Sequence, residues 1–104
     1  MSQRSRETLT RGVFIERIGK LRIINFYGNT GSPDDYYKTM FIATLQAGDR
    51  PGDIVYGAIN QAESTIGLYA IAKPDGNLEI HSISGANPKA EKPMFGQVAY
   101  IAVY

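Results

Sequence analysis

His81 is the only imidazole in the chain. It sits in Leu78-Glu79-Ile80-His81-Ser82, where strand alternation puts Glu79 and His81 on one face, about 7 Å apart. An imidazole and a carboxylate so placed could exchange a proton. Nucleophilic catalysis also needs a hydroxyl or thiol activated by that base. No serine stands in a nucleophile-elbow context, and the chain has no Cys. Glycoside hydrolysis needs two carboxylates flanking a sugar bond. Asp34-Asp35 are adjacent in a Pro- and Gly-containing segment, where such residues cap backbone amides, and Glu63 and Glu91 stand alone. Asn29, Asp34, Asp35 and Asn87 could offer oxygen ligands to Ca²⁺, but without the EF-hand spacing. Neither GxxxxGK[ST] nor GxGxxG occurs. The expectation is a non-enzymatic protein with no cofactor and no metal.

Recognition by touch fits the remaining polar and aromatic residues. Saccharides bind through aromatic rings that meet their C–H faces and through planar polar groups that form paired hydrogen bonds. Tyr36 and Tyr37 follow Asp34-Asp35 at a loop–strand junction. Asp49-Arg50 lie on another loop, Asn60-Gln61 and Glu63 on a third, and His81 at a strand end. The candidate saccharide-binding residues are therefore Asp34, Tyr36, Tyr37, Arg50 and His81. Nucleic acid is not the expected partner. Arg22, Phe26 and Tyr27 are neighbours in sequence, but the formal charge of +1 gives no general pull on phosphate. Residues 1–22 carry a net +4 and the rest a net −3. Glu7 and Glu16 interrupt the basic run, which reads as a solvated lead-in rather than a binding patch.

The elements that must position these residues are strands. The chain has 104 residues, 43% hydrophobic and 20% charged, with 11 Gly and 5 Pro, which is ordinary for one globular domain. No apolar run approaches the roughly 20 residues that span a bilayer, so no membrane insertion is expected. The polar start MSQRSRETLTRG does not read as a secretory leader. Ser5–Leu9 is the one stretch that could coil briefly. Period-two patterns bounded by turn residues predict strands over Leu9–Arg17, Leu21–Tyr27, Tyr36–Leu45, Asp53–Ile59, Thr65–Ala72, Asn77–Ile83 and Gly96–Tyr104. Gly19 suits a hairpin, and Lys73-Pro74-Asp75-Gly76 is the clearest turn signal. Leu21–Tyr27 is apolar on both faces, as in a central strand or one that meets a second subunit. The expected fold is all-β, an antiparallel β-sandwich or barrel-like head of about seven strands. Residues 1–10 read as a lead-in or neck remnant and 11–104 as the head.

Three segments carry a resemblance: Ile18-Gly19-Lys20-Leu21-Arg22-Ile23-Ile24, Thr44-Leu45-Gln46-Ala47-Gly48-Asp49-Arg50-Pro51, and Pro74-Asp75-Gly76-Asn77-Leu78-Glu79-Ile80. Together they resemble the C-terminal head domains of bacteriophage tail-fibre and baseplate receptor-binding proteins, over about Arg11 to Tyr104. Those domains often carry an IGK/R-plus-apolar strand, a TLPxGYRP-like turn and a DGxIxI strand. Here Gln46 and Asp49 replace the usual Pro and aromatic. The resemblance implies a homotrimeric head in the virion, at the tail tip or baseplate. Such a head attaches reversibly to host cell-surface saccharide and contacts other virion proteins. Two other readings stand beside it: a structural virion connector that binds another virion protein, and a small carbohydrate-active enzyme.

Overall fold

Alternation builds the sheet. In the computed structural model, which describes residues 4–30, 37–89 and 92–103, residues 21–28 bury Arg22, Ile24 and Phe26 and turn Leu21, Ile23, Asn25 and Tyr27 outward. The described residues form eight strands: β1 (Arg4–Thr10), β2 (Val13–Ile18), β3 (Leu21–Gly28), β4 (Thr39–Thr44), β5 (Val55–Gln61), β6 (Leu68–Ala72), β7 (Asn77–Ser82) and β8 (Met94–Ile101). They form one antiparallel sheet in the order β1-β2-β3-β8-β5-β6-β7-β4. The sheet curls into a half-barrel that wraps its apolar face inward. The all-β expectation is met, and the described residues hold eight strands where the sequence pattern predicts about seven. Among the described residues, the only helical piece is the 3-10 turn Ala47–Asp49. None of their helices is long and apolar enough to cross a membrane.

The core lies inside the curl. Val13 and Ile15 of β2, Ile24 and Phe26 of β3, Val98 of β8, Leu78 and Ile80 of β7 and Met40 of β4 are each 2% exposed or less. Such side chains contribute roughly 1.5–3 kcal/mol each when withdrawn from water. β8 lies mid-sheet, between β3 and β5. Its pairing with β5 covers only Ile59, Asn60 and Gln61 opposite Gly96, Phe95 and Met94. A Cβ on Gly96 would run into the Ala58 carbonyl and the Ile59 side chain, so the missing side chain permits this close crossing.

The start of the chain departs from the sequence reading. The single strand expected over Leu9–Arg17 is two strands, and Ser5–Leu9 is extended, not helical. β1 pairs with β2 from Arg4↔Ile18 to Thr10↔Val13 around a turn at Arg11-Gly12. Gly12 has φ 73°, and its carbonyl accepts the Tyr27 amide at 2.9 Å. Arg-Ser-Arg-Glu-Thr-Leu-Thr has one apolar residue, and that composition suits a charged edge strand that discourages pairing with other chains. The segment read as a lead-in is therefore, from Arg4 to Thr10, an edge of the sheet. Ala at position 12 would place its Cβ 2.5 Å from the Asn29 carbonyl oxygen, in a backbone conformation L-residues resist. Gly12→Ala should cost at least about 1–2 kcal/mol in urea unfolding, whereas Gly48→Ala, whose Cβ meets nothing within 4 Å, should cost much less.

Candidate functional site

The outward faces of β1, β2, β3 and β8 form a groove of about 520 Å³. Register sets its contents. Phe14 of β2 pairs with Asn25 of β3, Asn25 with Gln97 of β8, and Tyr27 with Phe95. All five side chains line the groove, with Arg6 and Glu16 at its β1–β2 side. The polar members are linked across three strands. Gln97 Nε2 donates to Asn25 Oδ1 at 2.8 Å, and Asn25 Nδ2 donates to Glu16 Oε1 at 2.9 Å. Each donating amide nitrogen retains a second N–H, and the Gln97 carbonyl oxygen can accept.

Aromatic rings stand along one edge of this polar row. Tyr27 and Phe95 meet edge to face with centroids 5.4 Å apart. On β2 the Phe14 ring centroid lies 4.3 Å from the Arg6 guanidinium carbon, within cation–π range. Tyr27 is 71% exposed, so its ring is offered to solvent instead of packed away. The groove thus presents flat apolar rings beside planar donors and acceptors held in one orientation. That combination matches the C–H faces and hydroxyl pairs of a saccharide.

The structure describes three of the five residues expected from sequence, Tyr37, Arg50 and His81. Asp34 and Tyr36 lie outside the described residues. Tyr37 is 53% exposed, with Lys38 Nζ 5.7 Å from its ring centroid. His81 is brought near that segment, because Thr39 pairs with His81 and the Ser82 amide donates to the Lys38 carbonyl at 2.8 Å. Arg50 is not brought together with them. It sits at the opposite end of β7, beside the Gly76 turn, where its Nε donates to the Leu45 carbonyl at 3.0 Å. Asn87, weighed as a cation ligand, accepts the Lys38 amide through Oδ1 at 3.1 Å.

His81 and Glu79 do interact. His81 Nε2 is 2.7 Å from Glu79 Oε1, and Lys73 Nζ donates to Glu79 Oε2 at 3.1 Å. The hydrogen bonds from His81 and Lys73 hold the Glu79 carboxyl below its ordinary range, against the opposing effect of burial. A general acid for glycoside cleavage requires the opposite shift.

Sequence reasoning missed the ion cluster at the Arg50 end. Asp49, 3% exposed, accepts from Arg17 Nε at 2.8 Å and Nη2 at 2.7 Å and from Arg22 Nε at 2.8 Å. The Tyr100 hydroxyl donates to the Asp49 carbonyl oxygen, and burial pushes the Tyr100 phenol pKa well above its usual value. The available signal was Arg22, a cation in phase with Ile24 and Phe26. This cluster ties the 45–50 segment to β2, β3 and β8.

Hydrogen bonds from Arg17, then Arg22, depress the Asp49 pKa below its ordinary 3.8. The stability so gained is present above pH 3.8 and lost as pH falls toward the folded-state value. Unfolding free energy should therefore drop as pH falls below about 4. In Asp49→Asn that acid limb should be shallower, as urea titrations at successive pH values would read.

Compared with known proteins, the chain matches no protein-family model and no curated protein sequence.

Proposed function

We propose that this chain is a non-enzymatic saccharide-binding head of a bacteriophage receptor-binding protein. In this reading it sits at the tail tip or baseplate and adheres to a saccharide on the bacterial surface as a homotrimer. One observation carries the binding chemistry: the Gln97–Asn25–Glu16 row, with the rings of Phe14, Tyr27 and Phe95 along its edge. The motif resemblance over Arg11–Tyr104 supplies the virion setting. Neither Asp49 nor Glu79 has the raised pKa that a general acid for glycoside cleavage needs. Asp49 is neutralised by two arginines, Glu79 is bonded to His81 and Lys73, and both ionise more readily than usual.

A shallow groove yields weak single-site affinity, because ordering and desolvation consume much of the gain. Three copies per head and many heads per particle raise avidity by orders of magnitude. The outward apolar residues Ile101 (62% exposed) and Val103 (51% exposed) offer contact surface for another subunit. They equally favour the second reading, a connector that binds another virion protein.

The test uses purified protein on a panel of bacterial cells. The expected result is adsorption to some strains, competition by their extracted surface polysaccharide, no release of reducing sugar, and a trimer mass in sedimentation. Tight association with a virion protein, without adsorption to any cell, would favour the connector. Sugar release would replace both with an enzyme.

A further inference from the structure

A second aromatic and polar cluster stands on the same outward face, on the three strands that follow β8 in the sheet. Tyr56 of β5, Tyr69 of β6 and His81 of β7 lie on consecutive strands, with ring centroids 5.9 Å and 5.6 Å apart. Tyr69 and His81 are direct cross-strand partners. His81 is fixed through Glu79, which Lys73 holds in turn. Tyr56 is 62% exposed. As in the groove, flat rings stand beside planar hydrogen-bonding groups.

The surface between the clusters is continuous. Phe95, at the groove's edge, pairs with Asn60 of β5. Asn60 is exposed, and Ala58, two residues earlier on that strand, is the partner of Tyr69. Ala58 is small, so no bulky side chain interrupts the path there. Strand spacing and rise put Phe95 and Tyr69 on the order of 10 Å apart, wider than one sugar ring. Charge narrows the ligand further. The groove holds Arg6 with Glu16, and the second cluster holds Lys73 with Glu79, one cation and one carboxylate each. A protein interface would favour a core depleted of such charges. Balanced charges beside rings and amides instead suit a polyhydroxylated chain without net charge.

We propose that the two clusters are subsites of one extended site, and that its ligand is an uncharged polysaccharide lying across β3, β8, β5, β6 and β7, not a terminal sugar. This rests on the saccharide-binding reading above.

The test uses the surface polysaccharide that retains the wild-type protein in the cell assay, cut by mild acid into fragments graded by length. In competition, hexasaccharides should outperform disaccharides by at least about tenfold, with little change between low and high salt. Tyr69→Ala and Tyr56→Ser should each shrink that advantage to about threefold or less while disaccharides still compete. Tyr56 is exposed, so its variant keeps the test open if Tyr69→Ala does not fold. Equal competition by disaccharides and hexasaccharides, or a full length advantage in a folded variant of either kind, would overturn the extended site and leave the groove intact. A loss of more than about tenfold at high salt would overturn the uncharged ligand. Failure of every polysaccharide to retain the wild type would instead overturn the saccharide reading, and the extended site with it.

Discussion

Asp49→Ala should lower the unfolding free energy by about 3–5 kcal/mol. The reason is what the substitution leaves behind. Arg22 is 8% exposed, and its guanidinium stays beside the core face of β3 with little access to water. Its Nη1 donates to the Gly19 and Leu21 carbonyls and its Nη2 to the Gly48 carbonyl, so the group is held in place even without its carboxylate. Removing Asp49 strands that buried charge and also takes away the bidentate partner of Arg17. Glu7→Ala is the matched control. Glu7 bonds the same Arg17 at 2.7 Å, but its side chain is 47% exposed, and exposed pairs contribute about 0–1 kcal/mol. Guanidinium unfolding of the two variants side by side reads the difference. Equal small losses would mean that the cluster is not the clamp between the 45–50 segment and the sheet.

The second large effect concerns binding. The double variant Tyr27→Ala/Gln97→Ala should lose roughly 2–4 kcal/mol of saccharide affinity, a factor of about 30 to 1,000. Tyr27 supplies the exposed ring, and Gln97 begins the hydrogen-bonded row that orients Asn25. Neither side chain belongs to the buried core, so thermal stability should change little. Surface substitutions away from structural features usually stay within about 0.5 kcal/mol. Adsorption isotherms with the polysaccharide, alongside thermal unfolding, separate the two effects. An unchanged isotherm would remove the groove from the binding account. A joint loss of stability and binding would assign these side chains to structure.

Strand positions were legible because half-buried strands repeat every two residues, and Leu21–Gly28 and Asn77–Ser82 repeat without interruption. β1 was not legible as a strand, since its alternation lacks apolar residues and its order comes from pairing with β2. Sheet order lay beyond local pattern altogether. The contact that organises the groove joins Asn25 to Gln97, 72 residues apart. Asn25 therefore read as an ordinary member of the Leu21–Tyr27 face, and Gln97 as unremarked. His81 was legible as a polar residue on a strand face beside Glu79, and the structure joins the two. Arg50 read as a free loop cation because its target, the Leu45 carbonyl, is a backbone group that no side-chain pattern reveals. Asp49, which stands where the resembling turns carry an aromatic ring, gains its meaning only from Arg17 and Arg22, supplied by two other strands.

The most direct test of the groove is a titration of isotope-labelled protein with the retained surface polysaccharide, followed by backbone and side-chain amide spectra. The side-chain amides of Asn25 and Gln97 and the backbone amides of Phe14, Tyr27 and Phe95 should shift first and furthest, while Gly48 and Asp49, packed against the opposite face of the sheet, stay in place. Shifts confined to the 45–50 segment, or none in β2, β3 and β8 at saturating ligand, would contradict the account.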